Sequence, residues 1–202
     1  MRIIGITGGI ATGKSTVSAM LQDLYGVPVI YTDKVSRMVV EPGTDALHEI
    51  IKIFGTDILQ KDGSMDRAKV RKICIHDVDK LDKLSSIVWP AIARVTMQLM
   101  GNFSKAGHKT ICIENAILIE QGNHKLYDAL VVVTCDPKTQ LKRIMERDKQ
   151  SEQDALLMIN VQMPLSEKEA LADFLVVNDG TMATLRKQVD ALYRKVIREE
   201  DL

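Results

Sequence analysis

Apolar residues recur along this chain in two rhythms. Residues 2–7, 28–32, 110–113 with a continuation toward Leu118, 130–135 and 174–177 are almost continuously aliphatic, and each run stops near a polar residue or a glycine. Runs of this length and composition predict strands buried on both faces. Between several of them apolar residues fall at three- and four-residue spacing, the period of a helix with one covered face. The alternation predicts an α/β fold, a doubly wound parallel five-stranded sheet.

After Lys14 the stripe is Val17, Met20, Leu21 and Leu24. Asp136 reads as an N-cap with Pro137 at the first helical position, and Leu141, Ile144 and Met145 form the apolar side of that helix. Residues 150–172 read as polar helical segments broken at Met163-Pro164. Residues 181–199 read as a closing structural helix with Leu185, Val189, Leu192 and Val196 inward. The stretch between the second and third runs contains no strand pattern, only helical spacing at Leu47, Ile50, Ile51 and Phe54 and again at Leu81, Leu84 and Val88. It is too long for a simple crossover. A helical insertion is expected there, placed to hold a second substrate over the carboxyl ends of the strands. The predicted organisation is one domain with a core of about residues 1–33, 108–146 and 173–202, an acceptor-binding insertion of about 34–107 and a lid of about 147–172.

Length and charge narrow this picture. The 202 residues suffice for one α/β domain with an insertion. Lys+Arg and Asp+Glu both number 27, which argues against nucleic acid or an anionic membrane as partner and leaves small anionic ligands open. The cysteines are Cys74, Cys112 and Cys135, and an odd set partly inside apolar runs suits reduced thiols used in packing. The first strand follows Met1 almost at once, and no uninterrupted apolar stretch approaches membrane length. The expectation is a soluble cytoplasmic protein, a monomer or small homo-oligomer.

The chemistry enters with Gly8-Gly9-Ile10-Ala11-Thr12-Gly13-Lys14-Ser15, which completes GxxxxGK[ST] between a strand pattern and a helix pattern. Glycines permit the tight turn that brings backbone N–H groups against phosphate oxygens. Lys14 reaches the β- and γ-phosphates, Ser15 offers a hydroxyl to Mg²⁺, and the helix dipole favours the anion. A nucleoside triphosphate is the predicted ligand.

That loop serves motors, switches and kinases alike. No NKxD is present to read guanine, and the one DxxG, from Asp23 to Gly26, falls at the end of a helix pattern, so a GTPase does not fit. A kinase needs a base for the attacking hydroxyl and cations for the transferring phosphoryl group. Asp33, read as ending the second strand, suits the base and equally suits an N-cap for the next helix. Arg37 lies four residues on. Arg143 and Arg147, at i and i+4, have the chemistry of a phosphate clamp or of a solvated helix face. The polar segment after them favours an arginine-bearing lid that excludes water.

Taken together the residues resemble the dephospho-CoA kinase family from Ile3 to about Tyr193. The likeness is carried by Thr7-Gly8-Gly9-Ile10-Ala11-Thr12-Gly13-Lys14-Ser15-Thr16, Thr32-Asp33 with Arg37 and Val40-Glu41-Pro42-Gly43, and Phe54-Gly55. It continues through Trp89-Pro90-Ala91-Ile92, Leu118-Ile119-Glu120, Thr139 to Arg143 with Arg147-Asp148, Gln162-Met163-Pro164, Lys168, Ala172-Asp173 and Asn178-Asp179-Gly180. The resemblance implies a sheet of the P-loop kinase type and transfer of the ATP γ-phosphoryl group to the ribose 3′-hydroxyl of dephospho-CoA, giving CoA and ADP. By that likeness Asp33 is the base, Lys14 steadies the transferring phosphate, Arg143 stabilises transition-state charge from the lid and Arg147 supports it. Thr7 lies beside the reacting groups, Thr16 continues the nucleotide-binding loop, and Asn178 approaches the adenine, with a cap or turn role as the local alternative.

Three positions depart from the family. Tyr31 replaces an acidic residue two before the base, Trp89 replaces the histidine of His-Pro, and Ala116 opens a segment that is commonly Pro-Leu-Leu. Trp89 is expected in core or hinge packing rather than stacked on the acceptor. The alternatives to this activity are another kinase of the same fold, such as a nucleoside monophosphate kinase, or a non-catalytic nucleotide-binding regulator.

Overall fold

The computed structural model describes residues 1–198. Strands β1 (Arg2–Gly8), β2 (Val29–Tyr31), β3 (Thr110–Glu114), β4 (Ala129–Thr134) and β5 (Phe174–Val177) form one sheet in the order β2-β3-β1-β4-β5. β1 is parallel to both β3 and β4, setting Ile4 beside Cys112 on one side and Ala129 on the other, and β4 is parallel to β5. Parallel neighbours require crossovers rather than tight turns. The connections between strands pass through α1 (Lys14–Tyr25), α2 (Thr32–Met38), α3 (Asp45–Phe54), α4 (Arg67–His76), α5 (Val78–Lys105), α6 (Pro137–Asp148), α7 (Glu152–Asn160) and α8 (Leu165–Glu169), and α9 (Met182–Leu192) follows β5.

The chain divides into two compact units, one of residues 1–30 with everything from Phe103 onward, the other Tyr31–Asn102. In the first, β4 is buried along its whole length, as a strand covered on both faces must be. Leu130 and Val132 point into a cluster with Leu118 and Ile119, to which Tyr127, Met163 and Ala172 add their apolar parts. The period of two turns Val131 and Val133 to the opposite face. In the second unit α3 buries Leu47 and Ile50 and α4 buries Val70 and Cys74. Thr44 and Asp66 cap these helices by accepting the N–H groups of Leu47 and Lys69.

Four details differ from the sequence reading. The covered stripe of α1 is Lys14, Val17, Ser18 and Leu21, and Leu24, in the last turn, is exposed. On α6 the buried positions are Gln140 and Ile144, while Leu141 and Met145 are only partly covered. After α9 a π-turn over Tyr193–Ile197 inserts one residue per turn, so Ile197 rather than Val196 is buried. Glu199 lies outside the described residues. Trp89 precedes Pro90 inside α5 and is 49% exposed, so it is not a core residue. All three cysteines are buried and free.

Candidate functional site

β1 ends at Gly8 and α1 begins at Lys14, and the residues between them curve over the helix N-terminus. Gly13 caps α1 in the left-handed region with φ 95, and its carbonyl accepts the N–H groups of Thr16 and Val17. Ala11 also holds a positive φ of 56, a conformation that costs a residue with a Cβ roughly 1–2 kcal/mol. The first turn of α1 contains no acidic side chain of its own, so no residue of the helix opposes the positive end of its dipole at the loop. This is the arrangement that receives a phosphate.

Lys14 is buried along its stem, and its Nζ donates to Gly9 O at 2.6 Å and Gly8 O at 3.4 Å. Thr12 Oγ1 donates to Gly9 O at 3.0 Å, closing the loop from inside. Thr7, wholly buried, donates its hydroxyl to Ala116 O at 3.4 Å. Ser15 Oγ donates to Glu114 Oε1 at 2.8 Å. Glu114 closes β3, in register with Ile6 of β1, with only 8% of its surface exposed. A serine hydroxyl beside a carboxylate is a hard-oxygen donor set of the kind Mg²⁺ prefers, so these residues fit that ion. Sequence reading missed Glu114; the available signal was an acidic residue closing an aliphatic strand.

Asn178 follows β5 and is nearly buried. Its Nδ2 donates to Thr12 O at 2.8 Å, and its carbonyl accepts Arg143 Nη2 at 2.9 Å. Arg143 is thereby joined to the loop through one intervening residue, and its Nη1 is a buried donor with no hydrogen-bond partner among the described residues. Arg143 also lies by Cys135, whose thiol burial pushes up to about 11 although the guanidinium pulls the other way. Thr181 occupies the N-cap of α9, so Asn178 is not that cap. Arg147 is directed elsewhere: it forms a two-pronged pair with Asp148 at 2.8 and 2.7 Å on the exposed side of α6, and that partner raises its pKa.

Asp33 belongs to the second unit and is not a strand residue. β2 stops at Tyr31, which is the N-cap residue of α2, and Asp33 stands exposed in the first turn of that helix, where its charge suits the dipole. The N-cap alternative for Asp33 is therefore not realised. Nearby in the same unit, Arg67 donates to Ser36 O at 2.8 Å. Burial and the guanidiniums of Arg37 and Arg71 lower its pKa while Asp33 opposes the shift. Arg67 and Arg71 also line a cavity of about 410 Å³, with Val40, Cys74, Leu84 and Val88 among its apolar walls. The stripe Leu81, Leu84 and Val88 thus faces this cavity instead of a closed core.

Three further residues meet the loop. Ile10 N–H donates to Gln162 Oε1 at 2.8 Å, and Gln140 Nε2 donates to Ile10 O at 2.8 Å. Lys168, fully buried, donates to Ala116 O at 3.0 Å and Gly8 O at 3.4 Å.

The chain matches the family model described as dephospho-CoA kinase over residues 2–184. It is 38% identical over 199 residues to a dephospho-CoA kinase of Listeria monocytogenes, an alignment covering 98% of this chain and 99% of that one. Among solved structures it is similar to a Thermus thermophilus protein, with TM-score 0.82, 27% identity and coverage of 96% and 97% of the two chains. It is also similar to a dephospho-CoA kinase of Campylobacter jejuni, with TM-score 0.72, 25% identity and coverage of 97% and 98%. No described helix is long and apolar enough to cross a membrane. A phosphate loop set at a helix N-terminus, with a serine hydroxyl and a strand-end carboxylate beside it, thus lies within a match that spans most of the chain, and the chain belongs to the dephospho-CoA kinase family.

Proposed function

We infer that this chain transfers the γ-phosphoryl group of ATP to the ribose 3′-hydroxyl of dephospho-CoA, giving CoA and ADP in the last step of CoA biosynthesis. The observation that carries this reading is the family match over residues 2–184, which includes the loop from Gly8 to Ser15. The loop N–H groups and the α1 dipole bind the ATP phosphates, with Lys14 turning from its loop carbonyls to the β- and γ-oxygens. Ser15, with Glu114 beside it, would hold Mg²⁺, which would supply charge neutralisation for the ATP phosphates. Arg143 brings a guanidinium to the same end of the sheet, and Arg147, on turning from its pair with Asp148, supports it from the lid formed by about residues 147–172. Asn178 fixes the loop backbone while the nucleotide lies along it.

Asp33 accepts the proton of the attacking 3′-hydroxyl, a role supported by the family resemblance and by its position directly after β2. The second unit is the acceptor-binding part of the chain. Its cavity combines aliphatic walls with Arg67 and Arg71, matching a ligand that has both an alkyl arm and a diphosphate.

The test is ADP release from Mg-ATP with dephospho-CoA, AMP, nucleosides or shikimate as acceptor. Turnover dependent on dephospho-CoA is expected. A nucleoside monophosphate as the better acceptor would select the alternative kinase reading, and no acceptor-dependent turnover would reject the activity. Asp33→Asn should lower turnover about 100-fold or more with ATP affinity retained, the usual range for a lost general base.

A further inference from the structure

Ile10 has its N–H on Gln162 and its carbonyl on Gln140, each at 2.8 Å, so the peptide groups on either side of the loop's outer bend are fixed by side chains from distant segments. The approach is close: a Cβ at Gly9 would stand 2.7 Å from Gln140 Nε2 and 3.1 Å from a methyl of Leu165. Next in the chain is Ala11 with its positive φ. Without these contacts the loop would relax toward less strained conformations that do not aim its N–H groups at one point.

The turn bearing Gln162 is itself anchored. Met163 packs on Leu118, Ile119, Leu130 and Val132, and its N–H donates to Glu120 Oε1 at 3.2 Å. The same carboxylate oxygen lies 2.7 Å from Lys168 Nζ, which reaches Gly8 and Ala116 carbonyls as well. Lys168 has no exposed surface. A buried ammonium that loses its carboxylate is strongly unfavourable, so Glu120 and Lys168 hold the turn in one place.

We propose that Gln162, held by Glu120 and Lys168, is a positioning residue that sets the phosphate loop in its nucleotide-receiving curvature before ATP arrives. The proposal rests on the reading of Gly8 to Ser15 as the ATP grip. A loop shaped in advance spares the binding step the entropy of ordering it. The effect therefore falls on ATP and not on the acceptor.

The experiment measures equilibrium ATP binding, both Michaelis constants and thermal midpoints for Gln162→Leu, Glu120→Gln and the double variant, with Lys14→Ala as control. Gln162→Leu should weaken ATP binding and raise its KM roughly 3- to 10-fold, the range of one neutral hydrogen bond. The dephospho-CoA KM should stay within about 2-fold, as expected for an effect confined to the loop. Glu120→Gln should show a smaller effect of the same kind, and none beyond Gln162→Leu in the double variant, because it acts through the turn. Unchanged ATP affinity in Gln162→Leu overturns the proposal. So does a loss shared equally with the acceptor and matched by a lower thermal midpoint, or additive effects in the double variant. If Lys14→Ala binds ATP like wild type, the reading of the loop itself fails, which is a separate result.

Discussion

Replacing Gly13 by alanine tests whether the loop is held by the contacts seen around it. Two costs meet at this position. The backbone sits at φ 95, where a residue with a Cβ carries roughly 1–2 kcal/mol of strain, offset by about 0.4–1 kcal/mol from the stiffer unfolded chain. The added Cβ would also fall inside van der Waals contact of Asn178 Nδ2. That amide donates to Thr12 O at 2.8 Å in a buried setting, so displacing it breaks a bond whose loss costs about 1–3 kcal/mol. The total is about 1–5 kcal/mol of destabilisation. Gly26→Ala supplies the comparison, since Gly26 has φ 64 and nothing within 4 Å of its added Cβ; only the strain applies, about 1 kcal/mol net. Urea unfolding followed by circular dichroism reads both. Gly13→Ala should exceed Gly26→Ala by more than about 1 kcal/mol, the least that the broken bond should cost. In an Asn178→Ala background that excess should disappear, because the clash and the bond are both gone. Equal costs at the two glycines, or an excess that persists without Asn178, would refute the contact argument.

Glu114→Gln removes the charge beside Ser15 and should raise the Mg²⁺ concentration for half-maximal activity several-fold, roughly 3- to 10-fold, with the dephospho-CoA KM unchanged; an unaltered Mg²⁺ titration would detach Glu114 from the metal. Cys112 gives a pH prediction. Burial pushes its thiol from 9.0 up to about 12, so the folded state retains a proton that the unfolded chain releases. Its contribution to stability is complete below about pH 9 and declines as pH rises from about 9 toward about 12, at up to about 1.4 kcal/mol per unit. Between pH 8 and 10 the wild type should lose about 1.4 kcal/mol more stability than Cys112→Ala in urea melts, and parallel pH profiles would show that the thiol does not titrate this way.

The central strands were legible because a strand covered on both faces must be aliphatic almost throughout, and β4 is buried from Ala129 to Thr134; β5, at the sheet edge, is equally aliphatic but leaves Leu175 and Val177 exposed, so it is not covered on both faces. The loop was legible because its requirements fall within eight consecutive residues. Glu114 was not, since its partner Ser15 lies 99 residues away. Gln140, Gln162 and Asn178 meet the loop across 130, 152 and 166 residues. A glutamine on a helix has the same local signature whether its amide is solvated or closes on a distant backbone. Gln162 and Lys168 had surfaced only as points of family resemblance. Asp33 was read one element too early because Val29 to Thr32 is rich in strand-favouring residues. In the structure Thr32 and Asp33 instead open α2, where short polar and acidic side chains suit a first turn.

The loop's shape and its dependence on distant residues have one physical origin. An anion grip needs several N–H groups converging on one point, and convergence forces backbone angles such as φ 56 at Ala11 and φ 95 at Gly13. Such angles are not the minimum for an isolated peptide, so β1, the loop and α1 alone carry the composition of the grip without its conformation. The missing constraint comes from amides on α6, before α8 and after β5. β4 and β5 set where those amides stand, because β4 pairs directly with β1 and β5 extends the sheet from it. The motif at the start of the chain is therefore completed by tertiary structure from its second half. Substitutions that loosen α6, the Gln162 turn or the end of β5 should reach ATP affinity before they reach the chemistry of transfer.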